Sequence, residues 1–361
     1  MKIILFAGGV GSRLWPMSRK NTPKQFGKII GDRTMLQIAV SKLLPDFNWG
    51  DIFISTGKNY AIDVKNQLPL LSKENILVEP QMRDVGPAVG LVTSLFFHKS
   101  PDEPIALLWG SDHLVKEEKL FRKILKAAEQ LITENGERII FLGQKPRFAN
   151  QNVGYIEFGE EVKKINNIPI YSFNSFQYRP HLSTAEKWVK DGKHSWNLGY
   201  FVTTPRFLWH LFKEFAPVMF EKLETIYKSI DSVNFQKTLN EIYPTIEKIS
   251  FDNAVLEKMD PKYALVISAN LGWSDIGAWE ALKEALSASE EENAIRGNVL
   301  IEDTKDTLAF NFTKQLLVGI DLNDLIVVNT NDVVLICPKT SVPKIKKLVE
   351  KLGTNGFKHL T

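Results

Sequence analysis

Residues 2–16 read KIILFAGGVGSRLWP, and this stretch decides the fold. Lys2–Ala7 is an apolar run that ends at the paired glycines Gly8 and Gly9, which predicts a short buried strand followed by a turn. In open sheets of parallel strands, ligands bind outside the carboxyl ends of the strands. The loop after this strand is therefore the first candidate for a functional site.

Short apolar runs alternate with helical patterns as far as residue 142. This alternation predicts βαβ units. Because the runs are apolar throughout, we expect helices on both faces of a mostly parallel sheet, which is an α/β, doubly wound fold. The predicted strands are Ile52–Ser55, Ile76–Val78, Ile105–Trp109 and Arg138–Leu142, and the predicted helices are Thr34–Leu44, Pro87–His98 and Leu120–Ile132.

The pattern changes at about Gly154, where strands and helices mix, and we interpret this segment as an insertion covering one end of the sheet. Its predicted strands are Tyr171–Tyr178 and Tyr200–Thr203, and its predicted helices are Thr184–Lys190 and Pro205–Phe215. The polar stretch Ser287–Asn293 is interpreted as a linker. It would separate a catalytic domain, residues 1–286, from a small β-rich C-terminal domain, residues 294–361. This second domain has predicted strands at Val299–Ile301, Leu316–Val318, Leu325–Val328 and Val333–Cys337, and a final helix at Val342–Leu352.

Composition excludes several classes of protein. Of 361 residues, 44% are hydrophobic, which excludes a mainly disordered chain, and the net charge of +3 gives no support to nucleic-acid binding through bulk charge. The single cysteine, Cys337, excludes an internal disulfide framework and a multi-cysteine zinc site, and it fits a reducing cytoplasm. No apolar run approaches the length of a membrane span, and the N-terminal run is too short for a signal peptide. We therefore expect a cytoplasmic protein with neither nucleic-acid nor membrane partners.

The glycine loop has the composition of a phosphate-binding loop. Its glycines allow backbone N–H groups to approach an anion, and Arg13 and Lys24 add positive charge. It matches neither common phosphate motif. A P-loop would need Lys followed by Ser or Thr, and a dinucleotide fingerprint would need glycine where Leu14 stands. Leu14 thus disfavours an NAD-dependent dehydrogenase.

Further motifs follow in a fixed order, and together they resemble the sugar-1-phosphate nucleotidyltransferases, most closely the mannose-1-phosphate guanylyltransferases. The likeness covers residues 1–285 and extends into the C-terminal strands. After the glycine loop and Pro23–Phe26, the segments that carry it are Glu79–Ala88, Gly110–His113, Gly154–Ile156, Trp196–Phe201, Ser250–Lys258 and Gly272–Gly277.

The resemblance implies that GTP and mannose 1-phosphate form GDP-mannose and pyrophosphate. The sugar phosphate would attack the α-phosphate in line. Both substrates are anions, so catalysis would consist of positioning and charge neutralisation, with no protein nucleophile. The resemblance also implies Mg²⁺ held by Asp112 and Asp275, since this ion prefers carboxylate oxygens.

The resemblance assigns two further sets of residues, in addition to the catalytic set Arg13, Lys24, Asp112 and Asp275. Glu79 would accept hydrogen bonds from guanine. The nucleotide set is Ala7, Gly8, Gly9, Gly11, Ser12, Glu79, Gly86 and Ser111, and the sugar-phosphate set is Gly154, Tyr178, Arg179 and Asn197.

Simpler interpretations remain for single residues. Asp112 after a strand could be a helix N-cap, and Asp275 a turn residue. Trp196 is equally a core residue or a ligand contact, and His113 is interpreted as structural rather than as a base. The number of subunits stays open, although apolar faces on the C-terminal strands could pair.

One segment departs from the family. The family has Phe-x-Glu-Lys-Pro where this chain reads FQYRP at residues 176–180. Arg179 keeps the positive charge, but Tyr178 cannot replace an ionised carboxylate. Asp84 and Gly110 also stand where Asn and Pro are common. These changes leave two alternatives open: a guanylyltransferase for another hexose or heptose 1-phosphate, or a regulatory paralogue that binds a nucleotide sugar without turnover.

Overall fold

The computed structural model describes residues 1–9, 11–287, 289, 291–354 and 356–361. Within them lie 17 strands and 11 α helices. The strands are β1 Lys2–Ala7, β2 Ile52–Gly57, β3 Ile76–Glu79, β4 Ile105–Leu108, β5 His113–Leu114, β6 Ile139–Gln144, β7 Gly154–Ile165, β8 Ile168–Tyr178, β9 His194–Thr203, β10 Ala264–Ala269, β11 Ser274–Asp275, β12 Ala294–Arg296, β13 Val299–Glu302, β14 Leu308–Asn311, β15 Leu317–Ile320, β16 Leu325–Asn329 and β17 Val334–Pro338. The helices are α1 Met35–Ser41, α2 Ala61–Gln67, α3 Val85–Lys99, α4 Glu118–Glu134, α5 Leu182–Asp191, α6 Pro205–Phe215, α7 Pro217–Lys228, α8 Phe235–Ile242, α9 Phe251–Ala254, α10 Trp279–Leu286 and α11 Ile345–Thr354.

The chain divides into two compact units, each assembled from separate stretches of sequence. The first unit comprises Met1–Gly8, Val40–Ser111 and Val115–Gly272. The second comprises Gly9–Ala39, Asp112–Leu114 and Trp273–Thr361. The predicted boundary between a domain of residues 1–286 and a domain of residues 294–361 therefore stays a prediction. Two residues of the predicted linker, Ala288 and Glu290, lie outside the described residues.

A nine-stranded sheet forms the centre of the first unit, in the order β3-β2-β1-β4-β9-β6-β10-β8-β7. The strands β1, β2, β3 and β4 pair in parallel, as do β6 and β10. Since β1 lies between β2 and β4, the order reverses beside it, which makes its carboxyl end a topological switch point. The α/β fold class is confirmed. The sheet is mixed, because β9 runs antiparallel to both β4 and β6.

The segment after Gly154 is not the separate cover that we expected. Strand β9 enters the middle of the sheet, and β7 and β8 form a long antiparallel hairpin that extends its edge. The polar outer half of this hairpin is exposed, which is why the sequence pattern did not indicate a sheet strand there. Helix α6 forms over the predicted range, with Pro205 at its first turn and the Thr204 hydroxyl accepting from the Phe207 amide.

The second unit contains the C-terminal strands. One sheet has the order β12-β14-β16-β17, and β13 pairs with β15 in another. Parallel pairing without intervening helices means that the chain coils, with alternate strands stacking on each other. Its core contains Trp15 and Trp279, whose indole N–H donates to the Trp15 carbonyl at 2.8 Å. None of the described helices has the length and apolar character that a membrane crossing requires.

Candidate active site

The glycine loop in the second unit is shaped around one lysine side chain. Gly11 has a φ of 68°, the left-handed region that favours glycine, and precedes a short 3₁₀ helix, Ser12–Leu14. A Cβ on Gly11 would lie 2.7 Å from Lys24 Cδ. The Gln25 amide donates to the Gly9 carbonyl at 3.0 Å and ties the two parts of the loop together. Glycine at position 11 therefore serves both the turn and the space for Lys24.

Lys24 bridges the two predicted metal ligands. Its ammonium forms a short ion pair with Asp112, and it lies 3.8 Å from Asp275 Oδ1 and 3.3 Å from the Ile276 carbonyl. Burial alone would lower the pKa of Lys24, but the carboxylates of Asp112 and Asp275 outweigh it and raise the pKa above its usual value. The lysine is therefore held charged between two acids.

Asp112 directly precedes one strand of a small two-stranded ladder, and Asp275 belongs to the other strand. Strand β11 pairs antiparallel with β5, and Asp275 is directly opposite His113. The Trp273 indole donates to His113 Nδ1 at 3.2 Å, which leaves the proton on Nε2, and this atom lies 3.8 Å from Asp275 Oδ1. His113 thus occupies the buried, hydrogen-bonded setting of a structural histidine, next to Asp275.

Arg13 lies close to Asp275. A Cβ on Gly277 would be 3.0 Å from both carboxylate oxygens of Asp275 and 3.2 Å from Arg13 Nη2. Burial raises the pKa of Glu280. The charge of Asp275 raises this pKa further, while the charge of Arg13 lowers it, so Glu280 is a third acid close enough to interact with both. The catalytic residues predicted from the sequence are therefore brought together, and Glu280 was not foreseen.

The donor set suits a hard divalent cation. Asp112 and Asp275 offer carboxylate oxygens, and the Lys24 ammonium already stands between them as a cation. Across the described residues, no group of three or more His, Cys, Asp or Glu side chains is arranged to hold a metal. The carboxylates of Asp112 and Asp275 are therefore the two protein ligands that this cluster offers to a cation.

In the first unit, the end of β1 is tightly packed. Ala7 is fully buried, and its carbonyl accepts from the Thr56 hydroxyl at 2.8 Å. A Cβ on Gly8 would lie 2.6 Å from the Met82 methyl group. Ser111 is buried as well. Gly9 and Ser12, which belong to the glycine loop, lie in the second unit. The nucleotide contacts assigned to the glycine loop stay predictions.

Glu79 is held by a tyrosine that sequence reasoning missed. The Tyr243 hydroxyl donates to Glu79 Oε2 at 2.7 Å, and both side chains are buried. Burial raises the pKa of Glu79 to about 7, although the Tyr243 bond acts to lower it. Burial and Glu79 together raise the pKa of Tyr243 well above its usual value.

The loop after Glu79 is fastened to the segment that contains Tyr243. The Arg83 guanidinium donates to the Ile246 carbonyl at 2.9 Å and forms a short bond to the Pro244 carbonyl. The Gly86 amide donates to the Ile249 carbonyl at 3.0 Å, and a Cβ on Gly86 would meet that oxygen at 2.6 Å. Only glycine permits this close approach.

The predicted sugar-phosphate residues are also brought together in the first unit. Gly154 is opposite Tyr178 in the β7–β8 hairpin. A Cβ on Gly154 would lie 3.5 Å from Asn197 Cβ. Arg179 has a φ of 49°, and its guanidinium stands 4.8 Å from the Tyr178 ring centroid. Trp196 is only 1% exposed, which favours its interpretation as a core residue.

Asp252 joins this group, although the sequence suggested no role for it. The Asn197 amide lies 3.5 Å from Asp252 Oδ1. Burial raises the pKa of Asp252 to about 6, with help from Glu257 and Asp84, while Arg179 opposes the rise. Asp252 belongs to the quoted motif Ser250–Lys258, so the motif was the available signal.

Comparisons with known proteins match most of the chain. A family model described as nucleotidyl transferase matches residues 2–292, and one described as a MannoseP isomerase/GMP-like beta-helix domain matches residues 297–352. The mannose-1-phosphate guanylyltransferase of Escherichia coli (strain K12) is 32% identical over 358 residues, covering 98% of this chain and 73% of that protein. Mannose-1-phosphate guanylyltransferase 2 of Escherichia coli O157:H7 is 31% identical, covering 97% and 73%.

Among solved structures, a Thermus thermophilus protein described as mannose-1-phosphate geranyltransferase aligns with a TM-score of 0.84 at 26% identity. The alignment covers 97% of this chain and 98% of that one. The resemblance stated from the motifs is thereby confirmed. Since one family model spans most of the chain and relatives above 30% identity cover nearly all of it, the chain belongs to the nucleotidyl transferase family.

Proposed function

We propose that this protein transfers GMP from GTP to mannose 1-phosphate and releases pyrophosphate. The observation that carries the proposal is the cluster in which the Lys24 ammonium bridges Asp112 and Asp275 beside Arg13. The names of the relatives, which are mannose-1-phosphate guanylyltransferases, support the choice of both substrates.

The reaction forms a bond between a sugar-phosphate oxygen and the α-phosphorus of GTP, and it breaks the bond from that phosphorus to the bridging oxygen of pyrophosphate. The attacking oxygen is already ionised, so no base is required. Charge repulsion between the substrates is the main obstacle. Arg13 and Lys24 would neutralise the charge of the triphosphate and of the departing pyrophosphate. The loop amides at Gly9 and Gly11 would hold the triphosphate in position.

Asp112 and Asp275 are the residues that would hold a divalent cation. Both side chains offer carboxylate oxygens, and Mg²⁺ is a hard cation that prefers oxygen ligands, so we propose Mg²⁺ as the ion. When bound, the ion would supply neutralisation of phosphate charge. His113 would keep Asp275 in place, since its ring is fixed by Trp273.

Glu79 would accept hydrogen bonds from the guanine N1–H and 2-amino groups. Gly154, Asn197, Tyr178 and Arg179 would contact the sugar phosphate, with Arg179 offering two parallel N–H donors to the phosphate. The presence of Asp252 beside Asn197 supports this location for sugar hydroxyls.

A substrate panel tests the proposal. The protein is incubated with GTP, Mg²⁺ and each of several hexose and heptose 1-phosphates, and pyrophosphate release is measured. We expect the largest kcat/KM with mannose 1-phosphate. A larger value with another sugar would identify that sugar as the substrate instead. The panel includes ATP, UTP and dTTP in place of GTP to test the choice of base.

Tyr178 is the specific observation that favours a second candidate, a regulatory protein that binds a nucleotide sugar. That hypothesis predicts no pyrophosphate release with any sugar, together with saturable binding of GDP-mannose in calorimetry. Turnover with any member of the panel would exclude it.

A further inference from the structure

We propose that Tyr243 is a positioning residue that aims the Glu79 carboxylate for guanine recognition. The inference rests on the proposed function, because it assumes that Glu79 reads the base. It adds a residue that lies 164 positions away in sequence and that no motif had marked.

The contact itself is well defined. Tyr243 is fully buried and Glu79 is 3% exposed, and their bond of 2.7 Å is formed away from bulk water. A charge-assisted hydrogen bond in such surroundings is stronger and more directional than one at the surface. Rotation of the Glu79 carboxyl group would break this bond, so the group is confined to one orientation.

The segment that follows Tyr243 is hydrogen-bonded to the loop that follows Glu79. Arg83 donates to the carbonyls of Pro244 and Ile246, immediately after Tyr243. The Gly86 amide donates to the Ile249 carbonyl at 3.0 Å. Three backbone carbonyls of residues 244–249 are thus tied to residues 83–86, and the tyrosine cannot shift independently of the Glu79 loop.

The second carboxylate oxygen is left for a ligand. The Tyr243 bond goes to Oε2. Oε1 is the carboxylate oxygen that this bond leaves unused. A carboxylate fixed in this way presents Oε1 and one remaining lone pair of Oε2 to two adjacent donors. Guanine has such a pair in its N1–H and 2-amino groups, whereas hypoxanthine has only the N1–H.

Tyr243→Phe tests the proposal, because it removes one hydroxyl and keeps the ring. Pyrophosphate release is measured with GTP and with ITP at about pH 8.5, where the Glu79 carboxyl is ionised. We expect the KM for GTP to rise about five- to tenfold, the size of one hydrogen bond. We expect kcat to stay within about twofold, and the KM for ITP to rise less, so that the preference for GTP over ITP falls.

The control is Tyr227→Phe in the same unit, since the Tyr227 ring packs on Phe97 and Trp209 at centroid distances of 5.6 and 5.2 Å. It should leave the preference for GTP over ITP unchanged. A purely structural role of Tyr243 would impair both nucleotides equally, and that result would overturn the proposal.

A double variant tests whether Tyr243 acts through Glu79. Adding Tyr243→Phe to Glu79→Gln should cost no further selectivity beyond Glu79→Gln alone, whereas an additional, additive loss would contradict the proposal. The outcomes are separable from those of the proposed function. Lack of GTP turnover by the unaltered protein would refute that function, while normal turnover with an unaffected Tyr243→Phe variant would refute only the positioning role.

Discussion

Glu79 should make the use of GTP depend on pH near neutrality. Burial raises its pKa to about 7. The ionised carboxylate can accept from both guanine donors, whereas the protonated form keeps one acceptor oxygen and gains an O–H donor, so activity should fall as pH falls. With that pKa, roughly nine-tenths of the group is ionised at pH 8 and roughly one-tenth at pH 6. The expected loss in kcat/KM for GTP between these values is about tenfold.

The assay measures kcat/KM for GTP from pH 6 to pH 8.5 by pyrophosphate release, because this parameter reports ionisations of the free enzyme and free substrate. Glu79→Gln is the matched control, since glutamine cannot titrate there. Dividing the two profiles cancels the titration of GTP itself and of Asp252, whose pKa is about 6. A ratio that is flat between pH 6 and pH 8 would refute the assignment of Glu79 as the ionisable base reader.

Four further outcomes are expected. Asp112→Asn and Asp275→Asn should each lower kcat by about a hundred- to a thousandfold in the pyrophosphate-release assay while the protein stays folded by circular dichroism. Lys24→Met should lower turnover yet strengthen Mg²⁺ binding in calorimetry, because Lys24 no longer competes for the two carboxylates. Gly11→Ala should cost about 1–2 kcal/mol of unfolding free energy in urea, given its left-handed backbone and its contact with Lys24. Tyr178→Glu should increase the preference for mannose 1-phosphate over glucose 1-phosphate in paired kcat/KM measurements.

Local signals in the sequence were enough for elements whose ends carry their own chemistry. Helix α6 begins at Pro205 after the capping Thr204, and its predicted bounds match the structure. Strand β1 ends at Ala7, just before Gly8, as its apolar run indicated. Strand β7 was missed because the pattern of its outer half, with Glu161 and Lys163 exposed, is that of a polar surface. Pairing with β8 over a long hairpin maintains it instead.

Long-range assembly could not be predicted in the same way. The core of the second unit joins Trp15, Trp279 and Phe310, which belong to separate parts of the chain. No periodicity within one segment reports such a contact. In the candidate site, too, local sequence signals identified the residues but not the contacts between them. Lys24, Asp112 and Asp275 were expected to act together, but the ion pairs between them, like the bond from Tyr243 to Glu79, depend on how distant segments pack.

The departure at Tyr178 does not leave the proposed sugar site without an acid. Asp252 lies beside Asn197 and within the field of Arg179, and with a pKa of about 6 it is mostly ionised at neutral pH. A carboxylate can accept hydrogen bonds from two sugar hydroxyls, which a tyrosine hydroxyl cannot do. Asp252 on α9 is therefore the carboxylate acceptor that we assign to the proposed sugar site, where the hairpin carries Tyr178. The cation–carboxylate cluster around Lys24 is present as well. The chain therefore has the charged groups that the proposed mechanism uses, and this favours an enzyme over a protein that only binds nucleotide sugars.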